Sequence, residues 1–188
     1  EGLKEALIQG ANYATNTASL KNEFYNNKLI FIPFPEEAQS VKSTLLKLGM
    51  RSQVLDFEKS VNYAAELASA SAEEIIIEVI RSMKILDAVL IINGEKDAAT
   101  EYLRDHTYEK LFQKFRPIVT NTTQKAYVTK YWSHLIKRYN SVPFTKNITI
   151  DLEDYITEKT IEGLFILIAQ EELNIRSNPN ARLTNLIK

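Results

Sequence analysis

The stretch DLEDYITEKTIEGLFILIAQEELNI, residues 151–175, decides the fold of this chain. Asp151 is a preferred helix-capping residue, and acidic side chains crowd the turn that follows it, as a helix N-terminus favours. The apolar residues beyond, among them Ile156, Leu164 and Ile168, spread around most of the helix circumference. A helix that is apolar on so many sides belongs at the centre of a bundle. We therefore predict one long, central helix here.

The composition favours further helices around this central one. Hydrophobic residues make up 45% and charged residues 25% of the 188 positions, as in ordinary soluble proteins. Glycine and proline contribute only five residues each, which is too few turn-forming residues for a sandwich, barrel or propeller. Since a domain holds about 150 residues, we predict that residues 1–188 form a single all-α domain, a multi-helix bundle of about eight helices.

Several local patterns qualify this picture. Residues 29–32 and 148–150 are β-prone, so we allow at most a short two-stranded β ribbon between them. A helix that begins at Thr107 is expected to be interrupted at Pro117, because proline lacks the backbone N–H group. Apolar spacing also predicts a short terminal helix within residues 178–188.

The residue types that are scarce exclude several kinds of chemistry. The chain has no cysteine and only two histidines, neither with the spacing of a zinc or di-iron motif, so we expect no metal site and no cofactor. No recognised catalytic motif is present, and we assign no catalytic residue. A net charge of −1 argues against specific nucleic-acid binding, and no apolar run approaches the ~18 residues of a transmembrane segment.

Short motifs distributed over the whole chain resemble those of a known family. The stretches that carry the resemblance include FYNN at 24–27, IPFPEE at 32–37, DAATEY at 97–102, KFRPIV at 114–119 and VTKY at 128–131. They resemble a bacterial family known only as domain of unknown function 4197. The resemblance implies an exported helical protein, periplasmic or anchored to a membrane by a lipid at a removed N-terminus, and it brings no catalytic residues with it.

Charge is divided unevenly along the second half of the chain. Residues 110–150 contain eight Lys or Arg and no Asp or Glu, whereas residues 151–172 are strongly acidic. At 100° per residue, one arc of the helix expected in the basic segment holds four residues, which are Lys130, His134, Lys137 and Arg138. The opposite arc holds Trp132, Leu135, Ile136 and Tyr139. We predict that the first arc faces solvent, where it either binds anions such as phospholipid headgroups, polyphosphate or nucleic acid, or pairs with the acidic segment.

A polar turn and the helix start after it form a second group of candidates. A helix N-terminus can bind anions or polar ligands through its backbone N–H groups. The candidate ligand-binding residues there are Asn93, Gly94, Asp97, Thr100 and Tyr102. Helix capping is the alternative role for these residues, since Asn and Asp are the types that caps prefer.

These patterns lead to one functional expectation and two alternatives. We expect a non-enzymatic binding or structural module whose partner the sequence does not identify, and whose abundant aromatic residues could line a pocket for a small apolar ligand. The first alternative is an anion- or phospholipid-binding protein that uses the basic helix face. The second is a small hydrolase with a site near Asp97, Thr100 and His106.

Overall fold

The fold is a bundle of helices. The computed structural model describes residues 2–177, and the side chains at positions 85, 86 and 88 fall outside that description. These residues form nine α-helices and no strand, which confirms the predicted all-α class. The helices are α1 (Gly2–Ala18), α2 (Glu23–Asn26), α3 (Gln39–Lys47), α4 (Arg51–Ser69), α5 (Ala72–Ser82), α6 (Ile85–Ile92), α7 (Ala98–Lys125), α8 (Val128–Asn140) and α9 (Leu152–Ser177). The terminal helix predicted within residues 178–188 lies outside the described part.

Helix α9 occupies the centre, as its apolar spread predicts. It packs against α7, α1 and α4. Ile156, Leu164 and Ile168 on it are all buried. The predicted cap is also present, because Asp151 Oδ1 accepts hydrogen bonds from the N–H groups of Glu153 and residue 154 at 3.1 and 3.0 Å.

The β ribbon that the sequence allowed does not form within the described residues. Ile32 is buried, and its N–H and C=O groups both pair with the side-chain amide of Asn62 on α4, each at 2.9 Å. One buried amide therefore satisfies the backbone groups that a partner strand would have satisfied. Residues 148–150 lie in an irregular segment before α9.

The predicted interruption at Pro117 is wrong. Helix α7 runs without a break from Ala98 to Lys125, so that Thr107 lies in its interior and begins no helix. Proline removes one backbone hydrogen bond, which weakens a helix. Buried Leu111 and Phe115 before it and buried Val119 after it anchor both halves of α7 in the same core, and this packing favours the continuous helix.

Gly163 on α9 allows the chain around α2 to approach closely. A Cβ atom built at this position would lie 2.9 Å from Cε1 of Phe24 and 3.3 Å from Cβ of Ile30. Phe24 and Ile30 are both buried. The missing side chain at Gly163 thus makes room for the aromatic ring that ties α2 to the central helix.

Candidate functional site

The basic face of α8 is the first candidate site, and the core contacts of this helix fix its orientation. Leu135 and Tyr139 are buried, and the ring of Trp132 lies 5.3 Å from that of Phe57 and 5.8 Å from that of Phe34. The opposite side is exposed, as the angular pattern predicts, and it carries Lys130, His134, Lys137 and Arg138. We call these four residues the basic face.

Only part of the basic segment pairs with acids. Lys110 Nζ lies 2.8 Å from Glu78 on α5, and Arg116 pairs with Asp151 and Asp154 at the start of α9. The pKa of Asp151 is lowered, first by the hydrogen bond from the N–H group of residue 154 and then by the Arg116 charge.

The basic face remains free of such pairs. Within residues 2–177, none of its side chains forms an ion pair with an acid, and the same holds for Lys125 and Lys146 on either side of α8. Pairing with the acidic segment 151–172 therefore applies to Arg116, near the beginning of the basic segment, and to none of the four residues of the basic face within residues 2–177. The acids neutralise its beginning and leave its second half open to solvent.

Two exposed aromatic residues flank α8. Tyr127 precedes the helix and is 60% exposed, and Lys130 Nζ lies 5.7 Å from the centre of its ring. Phe144 follows the helix and is completely exposed. Both have left-handed backbones, with φ of 59° and 64°. This conformation costs a residue with a side chain roughly 1–2 kcal/mol, and the exposed ring of Phe144 recovers none of it by packing.

The polar turn before α7 is organised by a residue that the sequence did not single out. Asp97 makes no side-chain capping bond. The buried carboxylate of Glu172 on α9 accepts hydrogen bonds from the N–H groups of Ala99 and Thr100 at 3.0 and 2.9 Å, and from Thr100 Oγ1 at 2.7 Å. Arg176 donates to the same carboxylate and to the C=O group of Ile91. The anion at this helix N-terminus is therefore the chain's own side chain.

The five candidates of this turn do not converge on one point. Asn93 Nδ2 donates back to the C=O group of Val89 and completes α6. Tyr102 donates to Asp87 Oδ2 at 2.9 Å, and burial together with this bond raises the pKa of Tyr102 to about 12. Gly94 and Asp97 are exposed in the turn, while Thr100 is buried against α9.

Two of the three residues of the hydrolase alternative are engaged with other groups. The Thr100 hydroxyl donates to Glu172, whereas Nδ1 of His106 lies 2.8 Å from the backbone oxygen of Tyr102, on whose ring the imidazole stacks at 4.1 Å. No contact joins the hydroxyl, the imidazole and Asp97 into a nucleophile and base. A triad mechanism requires such contacts.

Two cavities also went undetected by sequence reasoning. An aliphatic cavity of about 230 Å³ lies beside Glu172, with Leu7, Gly10, Ala99 and Ile168 among its walls. A typical small-molecule site encloses roughly 300–1,000 Å³, so this cavity is small, and aliphatic groups line it instead of the expected aromatic ones. The second is a larger polar groove of about 890 Å³ between α2 and α4.

Two kinds of site are absent from the described residues. No group of three or more His, Cys, Asp or Glu side chains within residues 2–177 is arranged to hold a metal ion. None of the helices in that part of the chain combines the length and the apolar character needed to span a bilayer.

Comparison with known proteins identifies a family and nothing closer. No curated protein and no solved structure matches the chain. The family described as a protein of unknown function, DUF4197, matches residues 1–188, in agreement with the resemblance carried by the short motifs. The chain therefore belongs to the DUF4197 family.

Proposed function

We propose that this chain is a non-enzymatic, exported helical module that binds the anionic phospholipid surface of a membrane through the basic face of α8 and the ring of Phe144. The observation that carries the proposal is the conformation of Phe144. A large apolar ring stands fully in water on a strained backbone, four residues after the end of a helix whose exposed cations form no ion pair within residues 2–177. Strain without compensating packing is a mark of functional positions.

The chemistry of the surface fits a lipid bilayer. Lys and Arg side chains attract anionic headgroups, while an aromatic or apolar ring beside them enters the boundary between headgroups and acyl chains. Helix α8 has 13 residues and is therefore about 20 Å long. Tyr127 comes directly before the helix and lies under Lys130, and Phe144 follows four residues after the last residue of the helix.

The expected affinity is modest. Each Lys or Arg near an anionic surface contributes about 1 kcal/mol, so Lys130, Lys137 and Arg138 contribute about 3 kcal/mol together. Burial of the Phe144 ring adds about 2–3 kcal/mol. A sum of roughly 5–6 kcal/mol corresponds to half-saturation near 0.1 mM accessible lipid. Binding of this strength is reversible and falls as salt rises.

A bilayer explains the surface better than a duplex nucleic acid does. A duplex would use the cations through its phosphates and leave the exposed Phe144 ring without a role, because its bases are already stacked on one another.

The experiment is sedimentation of the protein with phosphatidylglycerol vesicles and with phosphatidylcholine vesicles. The test variant is Lys130→Glu/Lys137→Glu/Arg138→Glu. Its matched control is Lys28→Glu/Arg81→Glu/Lys96→Glu, which changes the net charge by the same amount at exposed positions of other elements. We expect the wild type and the control to bind phosphatidylglycerol, and the test variant to bind at least about 100-fold more weakly, because about 3 kcal/mol is lost.

Three outcomes would contradict the proposal. One is equal sedimentation of the test variant and the wild type. Another is an equal loss in the control, which would show an effect of net charge alone. The third is binding of the wild type to polyphosphate or DNA with no affinity for vesicles. Since all six substituted side chains are exposed, circular dichroism spectra of both variants should match that of the wild type.

Export is the part of the proposal that the family resemblance supports. It is tested by fractionation of cells that express the complete natural gene. We expect the product in the periplasmic or membrane fraction, with a processed N-terminus. An unprocessed product confined to the cytoplasm would contradict export and would leave the vesicle experiment as a separate test of the surface.

A further inference from the structure

The polar groove between α2 and α4 holds a buried carboxyl group with an unused oxygen. Glu66 on α4 is only 4% exposed, yet its Oε1 atom has no hydrogen-bond partner. Buried polar atoms in folded proteins are nearly always paired, so an unpaired one calls for an explanation. Glu66 is one of the residues that line the groove.

Part of the role of Glu66 is structural. The backbone N–H groups of Asn22, Phe24 and Tyr25 face its carboxylate and lower its pKa, but burial outweighs them and raises the pKa overall. Asn22 adopts the left-handed conformation, with φ of 64°, that presents these groups. Support of α2 explains why the carboxylate is there. It does not explain the oxygen that has no donor.

The walls of the groove are amphipathic. Tyr63, which is 47% exposed, and Tyr131 on α8 supply aromatic groups. Asn22 and Asn26 supply amides that both donate and accept hydrogen bonds. Tyrosine combines an apolar ring with a polar rim and suits ligands that are partly apolar and partly hydrogen-bonding.

The charges of the groove disfavour a charged ligand. Lys59 lies with its ammonium group 5.9 Å from the ring of Tyr25, and together with Lys21 it repels cations. Asp56 and Glu66 on the same walls repel anions. The groove therefore contains two positively and two negatively charged side chains, whose charges largely cancel, together with neutral hydrogen-bond donors and acceptors.

We propose that this groove binds a neutral, hydroxyl-rich ligand of the saccharide class, with a sugar ring packing on Tyr63 and one ligand hydroxyl donating to Glu66 Oε1. The Oε1 atom is enclosed by protein in the unliganded chain, so this bond forms when a side chain of the groove wall moves aside. The volume of about 890 Å³ lies within the range of small-molecule sites. Two stretches that carry the family resemblance, residues 24–27 and 128–131, contribute Tyr25, Asn26 and Tyr131 to the groove. The inference does not depend on membrane binding.

The experiment is a titration of the ¹⁵N-labelled chain, followed by NMR, with four probes at up to about 10 mM, a range that detects weak ligands. Maltotriose and chitotriose represent neutral saccharides, cadaverine represents cations, and inorganic phosphate represents anions. We expect at least one saccharide to shift the amide signals of residues 19–26 and 59–67, while cadaverine and phosphate leave them unchanged.

Matched variants locate the site. Tyr63→Ala removes a half-exposed groove tyrosine, and Tyr13→Ala removes an equally exposed tyrosine from α1, outside the groove. We expect Tyr63→Ala to weaken saccharide binding about tenfold, a size typical of a contact residue, and Tyr13→Ala to leave it unchanged. Glu66→Gln keeps the shape and can turn its amide oxygen to the backbone donors, but it replaces the free acceptor with an N–H₂ group, so binding should weaken as well.

Several results would overturn the proposal. If neither saccharide binds, or if cadaverine or phosphate binds at these residues instead, the ligand class is wrong. If a saccharide binds with equal affinity to wild type, Tyr63→Ala and Glu66→Gln, the site lies elsewhere. Because Tyr63 is half exposed, its variant should remain folded, so that a loss of binding reports on the groove.

Discussion

Replacement of Glu172 by glutamine is the sharpest test of how the polar turn is held. The carboxylate of Glu172 accepts from Ala99 and Thr100 on one side and from Arg176 on the other. Glutamine has the same shape but only one acceptor oxygen. Because Thr100 is completely buried, the amide oxygen should turn towards it. The amide N–H₂ group then faces the N–H group of Ala99, which loses its partner.

The cost follows from these contacts. A buried donor left unpaired costs about 1–3 kcal/mol, and loss of the negative charge at the N-terminus of α7 costs a further 0.3–1 kcal/mol or so. The Arg176 guanidinium is partly exposed and recovers some hydration. We therefore expect Glu172→Gln to lower the free energy of unfolding by about 1–4 kcal/mol. At about 2–4 °C per kcal/mol, Tm should fall by roughly 3–15 °C.

The assay is equilibrium unfolding in urea followed by far-ultraviolet circular dichroism. The matched control is Glu171→Gln, one position away, where the side chain accepts a single exposed hydrogen bond from Asn174 at 3.3 Å. The control should change the free energy of unfolding by less than about 0.5 kcal/mol. If Glu172→Gln is as stable as the control, Glu172 does not hold the start of α7, and this reading of the turn is refuted.

Three further substitutions test other parts of the structure. Gly163→Ala should lower the free energy of unfolding by about 1–3 kcal/mol, because the added Cβ would meet the Phe24 ring at 2.9 Å; unchanged urea unfolding would contradict this close packing. Phe144→Asn should weaken vesicle binding while leaving Tm equal or higher, since asparagine tolerates φ of 64° better than phenylalanine does. Glu66→Gln should be at least as stable as the wild type at pH 7, because burial raises the pKa of Glu66 and the fold therefore disfavours its ionised carboxylate. The advantage of the variant in the free energy of unfolding should shrink as the pH falls towards 4.5, because the wild-type side chain then becomes protonated. Thermal unfolding at several pH values measures this pH dependence, and a stability advantage of the variant that grows on acidification would refute the prediction.

Local pattern was sufficient to predict the all-α class, the central helix α9 and the orientation of α8. The arc that holds Lys130 and Lys137 is exposed and the arc that holds Leu135 is buried, because a helix face depends only on spacing along the chain and on the position of the core. The cap at Asp151 was equally predictable, since the side chain and its backbone partners lie within three residues.

Contacts between distant residues were not predictable in this way. Glu172 caps a helix that begins more than 70 residues earlier, and Asn62 pairs with the backbone of Ile32 from 30 residues away. Nothing near either residue marks it as different from an ordinary surface Glu or Asn. The same holds for Glu66, whose position in the groove depends on how α2 and α4 come together.

The error at Pro117 has a different cause. A rule for isolated helices was applied to one whose two halves are both anchored in the core by Phe115 and Val119. Tertiary packing outweighs the loss of one hydrogen bond. A continuous apolar stripe on both sides of the proline was the available signal.

Fluorescence of a Phe144→Trp variant tests the proposed membrane surface most directly. The natural Trp132 is partly buried, and its fluorescence is a constant background that is recorded separately with the wild type. Docking of the basic face on a bilayer predicts that the added tryptophan emits as a water-exposed indole in buffer. Its emission should shift to shorter wavelength with phosphatidylglycerol vesicles, remain unchanged with phosphatidylcholine vesicles, and return to its original position at high salt. Emission that stays that of a water-exposed indole with phosphatidylglycerol at low salt would contradict insertion of residue 144 and, with it, the proposed function.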